Sequence, residues 1–170
     1  MFIKDKLTIS ILIILIVVIL FTIAIYADNN KIVVGEPAPD FTLNDLNDDS
    51  ISLLQFKGKY VIINFWSIYC QGCTEELPVL EDFNSEKGEN IVLLTINLDE
   101  EEREVREYLN KNNYSEFMVL FDKTKKVMKQ YNLKRIPMFY FINPDGIIKG
   151  LWEGSIEKGE LDKKIEKLFE

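Results

Sequence analysis

The sequence places a pair of cysteines directly after a nearly continuous run of apolar residues. The run is Tyr60–Trp66, and the pair, Cys70 and Cys73, contains the only two cysteines in the chain. A short apolar run of this kind predicts a strand that is buried on both faces, which requires cover on both sides of a sheet. Two thiols separated by two residues can close into a small disulfide and open again, so disulfide exchange is the first chemistry to consider.

The pattern that follows predicts an α/β fold. A helix is expected to begin at Cys70 and to end before Gly88, with an apolar stripe of Leu77, Leu80 and Phe83. A second apolar run occupies residues 91–98. Because a strand, a helix and a strand follow one another, we expect the two strands to be parallel. The other predicted elements are short strands at 51–54 and 117–121, helices at 101–112 and 124–131, a hairpin at 138–152, and a last helix that buries Leu161, Ile165 and Leu168. This order is typical of a sheet covered by helices.

A long apolar segment precedes this pattern. Residues 7–27 carry no charge, and as a helix they would extend about 31 Å, enough to cross a hydrocarbon core of about 30 Å. The bulky Tyr26 stands where a cleavage site needs a small residue, which favours an uncleaved anchor over a removed signal peptide. Lys4 and Lys6 are expected to keep the short N-terminal tail in the cytoplasm, which places the rest of the chain outside.

Four parts are therefore predicted: a cytoplasmic tail at 1–6, a single transmembrane segment at 7–27, a linker at 28–35, and one extracytoplasmic domain at 36–170. The net charge of −8 argues against a nucleic-acid surface. The absence of histidine excludes Cys-His and Ser-His catalysis and zinc sites that need imidazole. We expect a monomer with no metal and no cofactor other than its own redox-active disulfide.

Several spaced motifs together resemble the thioredoxin superfamily. They are Asn64-Phe65-Trp66 at the end of a strand, the cysteine pair, Pro78, Ile136-Pro137 before a strand, and Pro144-Asp145-Gly146 in the hairpin. Residues 35–41, residues 75–78 and the N-terminal segment further resemble the membrane-tethered TlpA/ResA-like thiol-disulfide oxidoreductases. The resemblance covers residues 33–170. It implies a thioredoxin-like α/β fold, with a central mixed sheet flanked by helices and an extra helix and strand at about 101–121.

The two cysteines are expected to have different roles. At the junction of a strand and a helix, the sulfur of Cys70 would face unpaired N–H groups and the positive end of the helix dipole, which favours the thiolate. Cys70 would attack, and Cys73 would then displace the mixed disulfide. A purely structural bridge is disfavoured, because so small a ring removes only about 2 kcal/mol of unfolded-chain entropy, compared with about 3 kcal/mol for a 15-residue loop.

The resemblance assigns roles to further residues. Glu76 would lie near the dithiol, where its negative charge would disfavour thiolate and its carboxyl group would move protons. The neighbouring Glu75 is expected only to interact favourably with the helix dipole. Pro137, preceded by Ile136, would be a cis-proline that faces the disulfide and binds substrate backbone. The remaining candidates are Gln71 and Gly72, which would tune the redox potential, and Trp66 and Tyr69, which would flank the substrate; a place in the core is an equal alternative for Trp66.

The resemblance also implies a reductant of disulfides in exported proteins that receives electrons from a donor in the membrane. An apocytochrome c is often the substrate in this branch, although no residue here selects it. Two alternatives stay open. A peroxidase of related fold needs a proline seven residues before the reactive cysteine, where this chain has Ile63. A copper carrier or noncatalytic binding module would want a third ligand, usually histidine, and the chain has none.

Overall fold

The structure, a computed structural model, describes residues 11–22, 32–98, 100–115 and 118–169. Residues 11–22 are helical and are called α1. No helix within these described stretches is both long and apolar enough to cross a membrane. The predicted tail at 1–6, the two ends of the predicted transmembrane segment and the first half of the predicted linker, 28–31, lie outside the described residues.

Seven strands and four further helices are described beyond residue 32. The strands are β1 (Thr42–Asp45), β2 (Ser50–Ser52), β3 (Tyr60–Trp66), β4 (Ile91–Asn97), β5 (Met118–Phe121), β6 (Met138–Ile142) and β7 (Ile148–Glu153). The helices are α2 (Gln71–Glu86), α3 (Glu102–Lys111), α4 (Lys126–Gln130) and α5 (Lys158–Phe169). The predicted helices and the long strands therefore form close to their expected positions.

The sequence patterns fail at the short strands. Strand β1 was not predicted, because its four residues form a strand only through antiparallel pairing with β2 and β5. The strand predicted at 51–54 is wrong in its second half. There the Ser52 side chain accepts a hydrogen bond from the Leu54 backbone N–H and caps a 3₁₀ helix, Leu53–Phe56, which ends β2.

All seven strands form one mixed sheet in the order β2-β1-β5-β4-β3-β6-β7. The predicted parallel pairing of the two long strands is confirmed, with Tyr60 opposite Ile91 and Trp66 opposite Asn97. Strand β5 is parallel to β4, and β6 is antiparallel to β3. Helix α3 and β5 correspond to the expected extra helix and strand, and β5 lies between β4 and β1.

Strand β3 is buried on both faces, as its apolar run predicts. Side chains alternate along a strand, so Ile62 and Trp66 face one side while Ile63 and Phe65 face the other. The first side packs against α2, α3 and α5. The second packs against α4 and Tyr131. Leu161 of α5 is buried, whereas Ile165 and Leu168 are only partly buried against the first core. This double cover fixes the end of β3, from which the cysteine loop extends.

Candidate active site

Cys70 and Cys73 form a disulfide at the start of α2. A turn at residues 67–69 connects the end of β3 to the helix, and the Cys70 N–H donates to the Ser67 carbonyl oxygen at 3.2 Å. Cys70 is the N-cap of α2, and its Sγ accepts a hydrogen bond from the Cys73 N–H at 3.2 Å. The predicted position of Cys70 between a strand and a helix is confirmed.

The two sulfurs differ in accessibility. Cys70 is partly exposed, whereas Cys73 is completely buried and packs among the core residues on the α2 side of the sheet. Because an exchange partner must reach the sulfur that it attacks, only Cys70 is placed to meet another protein.

Ile136 and Pro137 lie against this disulfide. The peptide bond between them is cis, as expected from the resemblance. The carbonyl oxygen of Ile136 is 3.8 Å from Cys70 Sγ. Pro137 Cδ would lie 3.8 Å from a Cβ placed on Gly72. The structure thus brings Ile136 and Pro137 close to Cys70 and Gly72, more than sixty positions away in sequence.

Glu76 is buried one turn of helix after Cys73, with an exposed fraction of 1%. Its Oε1 accepts a hydrogen bond from Asn64 Nδ2 at 2.9 Å, and its Oε2 accepts one from the Ile156 N–H at 3.2 Å. Burial raises the pKa of Glu76 to about 8, although both hydrogen bonds act in the opposite direction. At neutral pH burial therefore favours the neutral acid over the carboxylate, whereas the sequence analysis expected a negative charge beside the dithiol.

The two aromatic candidates have different environments. Trp66 is completely buried in the core. The assignment of Trp66 to substrate binding is therefore corrected to its alternative, a core side chain, because a ring without exposed surface cannot serve as a platform. Tyr69 is 76% exposed and adjoins Cys70 in the chain, and its hydroxyl donates to Glu104 Oε2 at 2.8 Å. Tyr69 is thus available to a bound peptide.

The two residues between the cysteines also differ. Gln71 is exposed, and its Nε2 donates to Glu75 Oε1 at 2.9 Å. Gly72 is partly buried, and its carbonyl oxygen accepts a hydrogen bond from Ser155 Oγ at 2.9 Å. Of the pair, Gly72 is therefore the residue whose backbone is held by a distant segment.

A second buried carboxylate, Glu100, was missed by the sequence analysis. It accepts hydrogen bonds from Ser67 Oγ at 2.5 Å, from the Ile68 N–H at 3.1 Å, and from Asn97 Nδ2. These contacts hold the turn that leads from β3 to Cys70. The acidic run around Glu100 gave no signal of this role, because consecutive acidic residues normally indicate a solvated surface.

Asn64 was also missed as a partner of Glu76, although the sequence contained a signal for it. It is a polar residue inside an apolar strand and is completely buried. Its Oδ1 has no hydrogen-bond partner in the described part of the chain. A buried amide of this kind is usually retained for a specific partner, which here is Glu76.

A shallow groove adjoins Cys70 on the side of the turn. Its lining includes Ser67, Tyr69, Leu98, Glu100, Met128 and Ile136. The carbonyl oxygen of Ile136 lies 3.8 Å from Cys70 Sγ, so the groove shares one lining residue with the surroundings of the disulfide. Among the described residues, no group of three or more cysteine and acidic side chains is arranged to hold a metal ion.

Comparison with known proteins agrees with this geometry. Residues 34–150 match the AhpC/TSA family. The thiol-disulfide oxidoreductase ResA of Oceanobacillus iheyensis is 32% identical over 160 residues, which cover 90% of this chain and 83% of that protein. The thioredoxin-like protein YneN of Bacillus subtilis is 30% identical over 135 residues, which cover 78% of each.

A solved structure has the same fold. The crystal structure of the exposed lipoprotein thioredoxin of Streptococcus pneumoniae aligns with a TM-score of 0.70 at 25% identity, covering 76% of this chain and 100% of that one. The family match extends over more than half of the sequence, and the similarity to ResA includes most of both proteins. The chain therefore belongs to the AhpC/TSA family, within which it is a thioredoxin-like thiol-disulfide oxidoreductase of the ResA type.

Proposed function

We propose that this oxidoreductase is anchored in the cytoplasmic membrane and reduces disulfides in exported proteins through Cys70 and Cys73. The observation that carries the proposal is the asymmetry of the pair. One sulfur is partly exposed at a helix start and lies 3.8 Å from the Ile136 carbonyl oxygen, while the other is completely buried. A dithiol built in this way can attack a foreign disulfide with one sulfur and complete the exchange with the other.

In the first step, the thiolate of Cys70 attacks one sulfur of the substrate disulfide. A bond forms between Cys70 Sγ and that sulfur, the substrate disulfide breaks, and the leaving sulfur takes up a proton. The Cys73 N–H, which points at Cys70 Sγ from 3.2 Å, is placed to stabilise the attacking thiolate. The groove beside Cys70 and the backbone of Ile136 and Pro137 would hold the substrate segment.

In the second step, Cys73 loses its proton and attacks Cys70 Sγ. The intramolecular disulfide forms, the mixed disulfide breaks, and the second substrate sulfur leaves and is protonated. Two electrons have then passed from the dithiol to the substrate. Glu76 lies one turn from Cys73 and has its pKa raised to about 8 by burial, so it can exchange a proton with the thiol near neutral pH. We propose this proton transfer as its role.

Residues 7–27 supply the proposed location. Their uncharged length and the lysines before them support a single transmembrane segment with the catalytic domain outside the cytoplasm. In that location the oxidised protein would be restored by a dithiol donor in the membrane. Exported proteins with accessible disulfides are the proposed substrates, and an apocytochrome c is the first candidate by resemblance.

The location has a direct test, because the chain contains no other cysteines. Intact cells that produce the full chain are reduced and treated with a membrane-impermeant maleimide. We expect labelling of Cys70 without cell lysis. A Cys70→Ser/Cys73→Ser variant controls for background, and labelling that appears only after lysis would contradict the extracytoplasmic location.

The activity and its substrates are tested by trapping. Cys73→Ser should accumulate mixed disulfides on Cys70 in the native host, and wild-type protein should catalyse reduction of insulin disulfides. Cys70→Ser is the matched control. It keeps only the thiol of Cys73, which is completely buried and which no partner protein can reach. Equal trapping by both variants, or no trapping together with no insulin reduction, would contradict the proposal.

A further inference from the structure

Three consecutive residues between β7 and α5 each donate one hydrogen bond to a different part of the active site. The Gly154 N–H donates to the Pro137 carbonyl oxygen at 2.9 Å. Ser155 Oγ donates to the Gly72 carbonyl oxygen at 2.9 Å, and the Ile156 N–H donates to Glu76 Oε2 at 3.2 Å. We call residues 154–156 the clasp. It joins the cis-proline loop, the peptide between the cysteines and the buried acid.

The central contact of the clasp also explains why residue 72 is glycine. A Cβ added there would lie 2.7 Å from Ser155 Oγ, well inside van der Waals contact. The hydroxyl would have to turn away, and its hydrogen bond to the Gly72 carbonyl oxygen would break. The small residue at 72 and the hydroxyl at 155 therefore form a matched pair, 83 positions apart in sequence.

We propose that Ser155 is a positioning residue that shifts the Cys70–Cys73 redox equilibrium toward the disulfide by holding the backbone of Gly72. This concerns the couple itself and does not depend on the location, donor or substrate proposed above. The other two contacts of the clasp are backbone N–H groups and stay in place when the Ser155 side chain changes. Ser155 is exposed, so its hydroxyl can be removed without opening the core.

The direction of the effect follows from the state in which the contact is formed. Reduction by glutathione adds two electrons and two protons to the pair, breaks the bond between Cys70 and Cys73, and forms one disulfide between two glutathione molecules. The two sulfurs then separate, and the peptide between them must adjust. A hydrogen bond that fixes Gly72 as it lies in the disulfide form resists this adjustment, so it stabilises the oxidised state relative to the reduced one.

The size of the effect is that of one neutral hydrogen bond. Its net value corresponds to a factor of about five in an equilibrium constant. For a two-electron couple this factor corresponds to about 20 mV. Removing the hydroxyl should therefore make the protein a slightly weaker reductant.

The test compares Ser155→Ala with wild type in the full-length protein. Each is equilibrated in a series of glutathione buffers, and the fraction of dithiol is measured by alkylation and mass shift. We expect Ser155→Ala to shift the equilibrium about fivefold toward the dithiol. Ser85→Ala is the matched control. Ser85 lies in α2, as Gly72 does, and its Oγ donates to the Asp82 carbonyl oxygen at 2.7 Å, more than ten residues after Cys73. No shift in Ser155→Ala, or an equal shift in Ser85→Ala, would overturn the proposal.

A double-mutant cycle tests the contact itself. Gly72→Ala should displace the Ser155 hydroxyl and shift the equilibrium in the same direction as Ser155→Ala. In Gly72→Ala/Ser155→Ala the bond is already absent, so the combined shift should be clearly smaller than the product of the two single shifts. Independent, multiplicative shifts would show that Gly72 and Ser155 do not act through one contact and would overturn the proposal.

Discussion

Two buried glutamates, Glu76 in α2 and Glu100 after β4, lie near the cysteine pair, and they are held in different ways. Glu76 is 1% exposed and accepts hydrogen bonds from two groups, Asn64 Nδ2 and the Ile156 N–H. Glu100 is 9% exposed and accepts from three, of which Ser67 Oγ and the Ile68 N–H belong to the turn before Cys70. No basic side chain is paired with either one among the described residues.

The surroundings of the two side chains suit them to different roles. Around Glu76, burial outweighs the two hydrogen bonds and raises the pKa to about 8, which suits a group that stores and releases a proton. Around Glu100, the acceptor capacity is used to fix a backbone turn. We expect substitutions of Glu76 to change pH dependence, and substitutions of Glu100 to change loop geometry and stability.

Glu76→Gln should give the largest effect. The pKa of Glu76 is raised in the folded protein from 4.5 to about 8, so the folded state holds a proton that the unfolded state releases. The stabilisation is fully present below pH 4.5 and is lost as the pH rises toward 8. The free energy of unfolding should therefore fall by up to about 1.4 kcal/mol per pH unit in this window, and Glu76→Gln should remove that slope.

Urea unfolding at pH 5, 6.5 and 8 measures this slope. The matched control is Glu75→Gln, an exposed neighbour on the same helix, which should keep the wild-type slope. An equally steep decline in Glu76→Gln would assign the pH dependence to another group and would break the distinction between the two glutamates.

Glu100→Ala should rank next. It removes the shared acceptor of Ser67, Ile68 and Asn97, and the resulting unsatisfied donors should lower the free energy of unfolding by about 2 to 3 kcal/mol. A less ordered turn should also slow insulin reduction by about tenfold. Glu89→Ala is the control, because Glu89 is exposed and does not line the groove beside Cys70. Wild-type stability and rate in Glu100→Ala would refute the anchoring role.

Ser67→Ala removes one of the three donors to Glu100 and should have a smaller effect than Glu100→Ala. Ser67 Oγ donates to Glu100 and accepts a hydrogen bond from the Tyr69 N–H at 3.0 Å. Its loss should lower the free energy of unfolding by about 1 kcal/mol, less than Glu100→Ala does. Thermal or urea unfolding of both variants provides the ranking, and the reverse order would mean that Glu100 is not the centre of this cluster.

Tyr69→Phe should have the smallest effect. The lost hydrogen bond to Glu104 is exposed, so the free energy of unfolding should stay close to the wild-type value. Insulin reduction should stay near the wild-type rate, because the ring that adjoins Cys70 is retained. A large loss of rate in Tyr69→Phe would show that substrates contact the hydroxyl, and Tyr69→Ala would then separate the ring from the hydroxyl.

Apart from the cis bond before Pro137, which the resemblance implied, the parts of the site that were predicted from sequence are those encoded over short distances. The strand at Tyr60–Trp66, the helix after it and the pairing of Cys70 with Cys73 each depend on neighbouring residues and their periodicity. Strand β1 and the end of β2 were missed, because they depend on pairing and capping rather than on local pattern. Trp66 was ambiguous, since an aromatic residue at a strand end can be core or surface.

The amino-acid sequence was sufficient to predict a redox-active cysteine pair at the junction of a buried strand and a helix, because apolar periodicity and cysteine spacing are local properties of the chain. The three-dimensional packing was needed to show that Trp66 is a core side chain, that Glu76 is a buried acid, and that Glu100 and Ser155 form hydrogen bonds with the segments around the cysteines. Burial and hydrogen-bond partners arise between segments that are far apart in the chain. Packing between these segments, and not local pattern, sets the dielectric environment and the contacts of each side chain.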